Sequence, residues 1–361
     1  MNIDISAKEY SVIFSKKGFN HLNNIVKNSN YSKVFLHVDN NTKKYCLNYF
    51  LKQTNFKNLE LIESKDGEEN KNINSCLSLW DLISSLGGDR KSLLINLGGG
   101  VVTDMGGFIA STFKRGIDYI NVPTTLLSMV DASVGSKTGI DFGILKNQIG
   151  TFYDPKLVIV DPFFLNTLPK EELLSGYAEV FKHSMINDNN QFNELIFKKE
   201  ISFDHQTIYK SILVKNEIVL KDKKEIKERK SLNYGHTIGH AIESLFLNTN
   251  KKLLHGEAIS IGIISATYIS SKLFNFPENK LKSIKSHLNS LYKKVEINEL
   301  EIDNIIDLLK HDKKNSHGKV NFILLEDIGK PVYDKQVPKD LIVESLKYYL
   351  SWVSAGINVA K

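Results

Sequence analysis

Cysteine is scarce. Cys46 and Cys76 are the only two among 361 residues, and neither sits in a CxxC spacing. Two cysteines argue against a disulfide framework, and a reducing compartment is the default. No long hydrophobic run exists. The longest apolar stretch, Ala258 to Ser270, is too short and too interrupted by Gly and Ser to cross a bilayer. The N-terminal MNIDISAKEY lacks the apolar core of a signal peptide, so the expected location is the cytoplasm. An excess of one charge is also missing. The 47 basic and 41 acidic residues are interleaved, for a net charge of +6. A nucleic-acid binder would show a basic stripe with aromatics inside it, and none is present. The densest charge run, KDKKEIKERK at Lys221 to Lys230, contains three acids and reads as a solvated helix face.

What is present is an ordinary globular composition, 42% hydrophobic and 24% charged, with length enough for two domains. In the first half, short β-branched runs alternate with helical patterns. Val34 to Val38 ends at Asp39-Asn40-Asn41, and Ser92 to Leu97 ends at three glycines. Tyr119 to Val122 ends at Pro123-Thr124-Thr125, and Leu157 to Val160 ends at Asp161-Pro162. Such runs predict a parallel sheet whose strands deliver ligand-binding groups at their carboxyl ends. From Leu168 the strand signal fades and helical periodicity continues through Leu309, with few prolines. The expected architecture is a Rossmann-like α/β dinucleotide-binding domain over residues 1–167. A mainly α-helical metal- and substrate-binding domain follows over 168–361. A small hairpin is expected from Val320 to Leu325 and a last helix from Leu341 to Tyr349. No internal repeat is seen.

Three segments carry chemistry. Gly98-Gly99-Gly100-Val101-Val102-Thr103-Asp104 leaves a strand and opens a helix, where backbone N–H groups can meet a pyrophosphate. A Rossmann GxGxxG would need Gly where Thr103 stands, so that fingerprint fails, and a plain tight turn remains open. His236 and His240 lie at i and i+4 on one helix face. Thr237 stands where a zincin would have Glu, which excludes that class. With His255, and with Glu179 or His183, these residues could hold a divalent ion with positions left for substrate; isolated histidines of a core or surface are the plainer alternative. Asp131 to Asp141, followed by Lys146-Asn147, sets lysines among glycines, which suits phosphate or carboxylate recognition; a surface loop is the alternative. A Walker A motif at Gly135-Ser136-Lys137-Thr138 fails because Ser136 precedes the lysine.

Taken together, GGGVVTDMGGFIASTFKRG, VPTTLLSMVDASVGSKTGID, KNQIG, LPKEELLSGYAEVFKH, LNYGHTIGHAIE and LLHGEA resemble the 3-dehydroquinate synthase family, in order, from Val34 to Lys330. The resemblance implies conversion of 3-deoxy-D-arabino-heptulosonate 7-phosphate to 3-dehydroquinate and phosphate, in the shikimate pathway. The route would be transient oxidation by NAD, phosphate elimination, re-reduction and an intramolecular aldol closure. It implies Glu179, His236 and His255 as ligands of one zinc or cobalt ion, with His183 a bystander. The NAD site would draw on Asp39, Asn41, Asp66, Glu68, Lys71, Gly98, Gly99, Gly100, Asp104, Thr124, Thr125, Lys137, Lys146, Phe164 and Thr167. Substrate groups would be Asp131, Lys137, Asn147, Lys182, Lys215, Arg229, Asn233, His240 and either Lys313 or Lys314. Arg115 would reach the phosphate from the partner subunit of a homodimer.

The chain departs from the family pattern at Ser136, where Gly is usual, and at the longer segment Phe142 to Leu145. The spacing from His236 to His255 is also slightly long. Two other enzymes remain open: a sugar-phosphate cyclase of different substrate, and a metal-dependent polyol or alcohol dehydrogenase. A non-enzymatic NAD-binding module is a third reading, but it would predict loss of the candidate metal ligands.

Overall fold

The computed structural model describes residues 4–56, 58–143, 145–187, 189–198, 201–247, 249–309 and 320–351. The chain forms two compact units, residues 1–169 and 170–361.

In the first unit the strands are β1 (Ile5–Ser6), β2 (Ser11–Phe14), β3 (Val34–Asp39), β4 (Glu60–Ser64), β5 (Leu93–Gly98), β6 (Asp118–Pro123), β7 (Lys137–Phe142), β8 (Leu145–Phe152) and β9 (Leu157–Val160). The helices are α1 (Ser15–Asn28), α2 (Asn40–Tyr45), α3 (Leu47–Gln53), α4 (Ile73–Ser85) and α5 (Gly100–Thr112). Seven strands make one sheet in the order β1-β2-β9-β6-β5-β3-β4, parallel except for β1. The central strands β5 and β9 are buried along their whole length, as expected of parallel strands covered on both faces. Chain order reverses between β3 and β5, so the crevice that binds ligands in such sheets opens at the carboxyl ends of these two strands.

Polar residues interrupt the apolar strands in register. His37 pairs with Asn96, and Asn96 with Asn121. Asn96 Nδ2 donates to Asn121 Oδ1 at 2.9 Å, which turns its Oδ1 toward His37 Nδ1 at 3.4 Å. His37 Nδ1 therefore carries the proton, and Nε2 accepts from Ser64 Oγ at 3.0 Å. Helix α5 crosses this polar chain at Gly106, where a Cβ would come within 1.9 Å of Asn96 Oδ1.

The second unit contains α6 (Lys170–Asn187), α7 (Asn189–Ile196), α8 (His205–Lys221), α9 (His236–Phe246), α10 (His255–Phe274), α11 (Glu278–Leu291), α12 (Glu299–Leu309), an antiparallel hairpin β10 (Asn321–Asp327) and β11 (Lys330–Gln336), and α13 (Lys339–Leu350). Helix α10 is the hub. It packs on α6, α9, α11, α13 and β10, and most of its residues are buried. Among the described residues no helix is long and apolar enough to cross a membrane.

The structure corrects one expectation. The charged run after α8 is not a helix face. Asp222 ends the helix and its carboxylate accepts the backbone N–H groups of Ile226, Lys227 and Arg229, folding the run into a turn. Asp222 is buried, which works against its charge, but these three donors hold its pKa below the ordinary value. Arg229 at the end of the run is buried, not solvated.

Candidate functional site

In the first unit the residues expected to bind NAD gather at the carboxyl ends of the parallel strands. Asp39 ends β3 and caps α2, accepting from Thr42 N at 2.7 Å. Asn41 Nδ2 donates to Asp66 Oδ2 at 2.8 Å. Gly98 ends β5, Gly99 caps α5 and Gly100 begins it. The first N–H groups of α5 therefore point out of the turn with no intrahelical acceptors. A Cβ on Gly98 would lie 2.4 Å from Val102, so this turn closes only on glycine. Thr124 N donates to Gly98 O at 3.0 Å, and Thr125 hydrogen-bonds Ser128, fixing the end of β6 beside the glycines. Phe164 and Thr167 share the 3-10 turn Pro162–Thr167, capped by Asp161.

Lys71 is the centre of this unit's polar network. It is buried, and its Nζ lies 2.6 Å from both Asp104 Oδ2 and Asn147 Oδ1. Burial works against its charge, but Asp104, Glu68 and Asp141 outweigh that and raise its pKa above the ordinary lysine value. Lys146 pairs with Glu68 at 3.2 Å. Asp131 lies on the π-helical turn Ser128–Ala132, and Lys137 is the exposed first residue of β7. Ser136, which replaces a usual glycine, keeps the backbone glycine would favour, with φ at 65°. Its hydroxyl donates to Asp154, and Tyr153 N donates to its carbonyl. Arg115 is exposed, the middle of three successive residues with positive φ: Lys114, Arg115 and Gly116 at 51°, 72° and 114°.

In the second unit three helices bring the metal-ligand candidates together. Glu179 is buried on α6, His236 begins α9 and His255 begins α10. Glu179 Oε1 lies 3.4 Å from Nε2 of His236 and 3.4 Å from Nε2 of His255. Ligand atoms of His236, His240 and His255 all lie within 4.8 Å of one another. His236 Nδ1 faces the carbonyl of Tyr234 at 3.1 Å, so Nδ1 carries a proton and Nε2 is the nitrogen turned toward Glu179. Burial lowers the pKa of His255, but Glu243 and Glu179 outweigh it and raise the value to about 9. A pair of carboxylates that favours a proton here favours a metal cation for the same reason. The donor set of imidazole nitrogens and one carboxylate is the kind that holds zinc or cobalt, so the residues fit such an ion. His183 is buried on α6 with its Nδ1 2.8 Å from Ser211 Oγ.

Cations line the same unit. Lys182 on α6, Lys215 on α8 and Arg229 are all buried, and Lys182 pairs with Glu179. Arg229 Nη1 donates to Lys223 O at 2.6 Å, and Asn233 donates its side-chain N–H to Glu225. Lys313 and Lys314 lie outside the described residues. Two carboxylates escaped the sequence reading. Glu225 was hidden in the charge run, and Glu243 contacts His255 from α9. A signal for Glu243 existed, because it falls seven residues after His236 on the same helix face.

The fold, a parallel sheet followed by a mainly helical unit, is shared with solved sugar-phosphate cyclases and dehydrogenases. The solved 2-deoxy-scyllo-inosose synthase, complexed with carbaglucose-6-phosphate, NAD+ and Co2+, superposes with a TM-score of 0.80 at 25% identity, covering 96% of this chain and 99% of that one. Glycerol dehydrogenase from Schizosaccharomyces pombe covers 97% and 91% of the two chains, with a TM-score of 0.62 at 16% identity. Two family descriptions match consecutively: 3-dehydroquinate synthase N-terminal over residues 61–175 and 3-dehydroquinate synthase C-terminal over 176–315. The 3-dehydroquinate synthase of Parabacteroides distasonis is 41% identical over 345 residues, 94% of this chain and 98% of that one. The chain belongs to the 3-dehydroquinate synthase family, and it is a lyase rather than a dehydrogenase.

Proposed function

We propose that the chain converts 3-deoxy-D-arabino-heptulosonate 7-phosphate to 3-dehydroquinate and phosphate, with NAD held by residues 1–169 and one zinc or cobalt ion held by residues 170–361. The observation that carries this reading is the shared approach of His236 and His255 to Glu179 Oε1, with Lys182 paired to Glu179 and two further cations, Lys215 and Arg229, buried in the same unit. A dehydrogenase of neutral polyols has no use for three buried cations, whereas a phosphorylated sugar acid supplies anions for them. When bound, the metal would supply a Lewis acid for a substrate hydroxyl and NAD a reversible hydride acceptor.

The protein's own residues do the rest. Glu179, His236 and His255 would orient the metal, and the Gly98 to Gly100 turn with Asp104 and Lys71 would seat the dinucleotide. Lys182, Lys215 and Arg229 would fix carboxylate and phosphate, while Asn233 and His240 would orient hydroxyls. Lys137, Asn147 and Asp131 are assigned to substrate from the first unit. The active form is a cytoplasmic homodimer in which Arg115 of one subunit serves the phosphate of the other's site. The test uses catalytic NAD+, a divalent metal and the heptulosonate phosphate, with phosphate and cofactor absorbance followed together. Phosphate should accumulate over many turnovers while reduced cofactor never exceeds enzyme. Reduced cofactor rising in step with substrate loss would overturn the reading in favour of a dehydrogenase.

A further inference from the structure

Glu243 lies on α9 seven residues after His236 and three after His240, so the three share one helix face. Its side chain is 4% exposed, and Oε2 is 3.3 Å from His255 Nδ1. A carboxylate can only accept, so Nδ1 of His255 carries a proton toward Glu243, and Nε2, 3.4 Å from Glu179 Oε1, is the nitrogen left for an ion. The two metal-ligand histidines are held differently. His236 is oriented by a main-chain carbonyl two residues away. His255 is the first residue of α10 and is oriented by a charged side chain from another helix.

We propose that Glu243 is a positioning residue for the divalent-metal site, fixing the rotation of His255 and holding a proton on its Nδ1 so that Nε2 is the nitrogen offered to the ion. The proposal rests on the metal reading given above. It also places a second negative charge beside the ion, next to the Glu179 carboxylate already paired with Lys182. Outer carboxylates of this kind set both ligand geometry and metal affinity.

The test compares wild type, Glu243→Ala and Glu243→Gln in the full chain. Metal dissociation constants are read by chelator competition, and ligand geometry by the visible spectrum of the cobalt-loaded protein. Glu243→Ala should weaken metal binding by about 10- to 100-fold and change the cobalt spectrum. Glu243→Gln keeps an oxygen acceptor and should recover most of both. If Glu243→Ala does not fold by circular dichroism, Glu243→Leu, which fills the volume without an acceptor, replaces it. Wild-type affinity and spectrum in the acceptor-free variant would overturn the role of Glu243 and leave the metal site standing. A Gln variant as weak as the acceptor-free one would overturn it too. Failure of the wild type to take up one ion per chain would overturn the metal reading, and this proposal with it.

Discussion

His37 and His287 show what burial does to a single side chain. His37 sits inside the sheet between Asn96 and Ser64, and burial lowers its pKa to about 4. His287 is buried in the helical unit, its Nε2 2.9 Å from the Tyr177 hydroxyl, and burial lowers it to about 4 as well. Both are neutral in the folded chain and below the ordinary 6.5. As pH falls, the unfolded chain binds these protons first. The stability they contribute is therefore complete above pH 6.5 and is lost between 6.5 and 4. The loss is at most about 3 kcal/mol for each histidine. Carboxylates with depressed pKa values, such as Asp222, begin to cost stability only at lower pH. Denaturant unfolding measured from pH 7 down to 4.5 should show the midpoint falling across the histidine window. A flat profile there would mean that these rings are not held neutral.

Among the elements, the contact of α10 with α6 sets the spacing of two metal-ligand candidates. Gly256 follows His255, and its N–H donates to Ser175 Oγ at 3.0 Å. Ser175 lies one turn before Glu179 on α6. A Cβ on Gly256 would come within 2.2 Å of the Ser175 carbonyl oxygen, so only glycine allows this approach. Gly256→Ala must push the first turn of α10 off α6 and carry His255 away from Glu179. Overpacking of this kind costs about 1–3 kcal/mol, and metal affinity should fall at least about tenfold with it. Unfolding and metal titration of the same variant check both, and an unchanged affinity would show that His255 is not placed by this contact. None of this packing was legible in the sequence. The buried strands β3, β5, β6 and β9 were legible, because apolar runs ended at turn residues. The β7–β8 hairpin was not, since KTGIDF and LKNQIGTF are rich in polar residues and glycine. The metal-ligand set emerged from family resemblance, because spacing alone left His183 as open as Glu179. The spacing put Glu243 on the His236 face of its helix, but its contact with His255 follows only from the packing of α10 on α9.

At the scale of the whole molecule, the open question is whether one chain makes a complete site. Arg115 is exposed on the first unit and is held in a backbone conformation, φ 72°, that costs an L residue energy. Strain at an exposed arginine is explained if its side chain must project away from its own chain, toward an anion held by another copy. A mixing experiment separates the two cases. Arg115→Ala and Lys182→Ala should each be inactive as pure preparations. In a dimer that shares Arg115 across subunits, a hybrid of the two variants has one site with both side chains intact and one with neither. Random reassortment should then restore about a quarter of wild-type activity, half the dimers being hybrid with one working site each. If Arg115 acts within its own chain, both sites of every hybrid lack one group and mixing restores nothing. Phosphate release after co-refolding measures the outcome, and the hybrid fraction can be checked by tagging one variant.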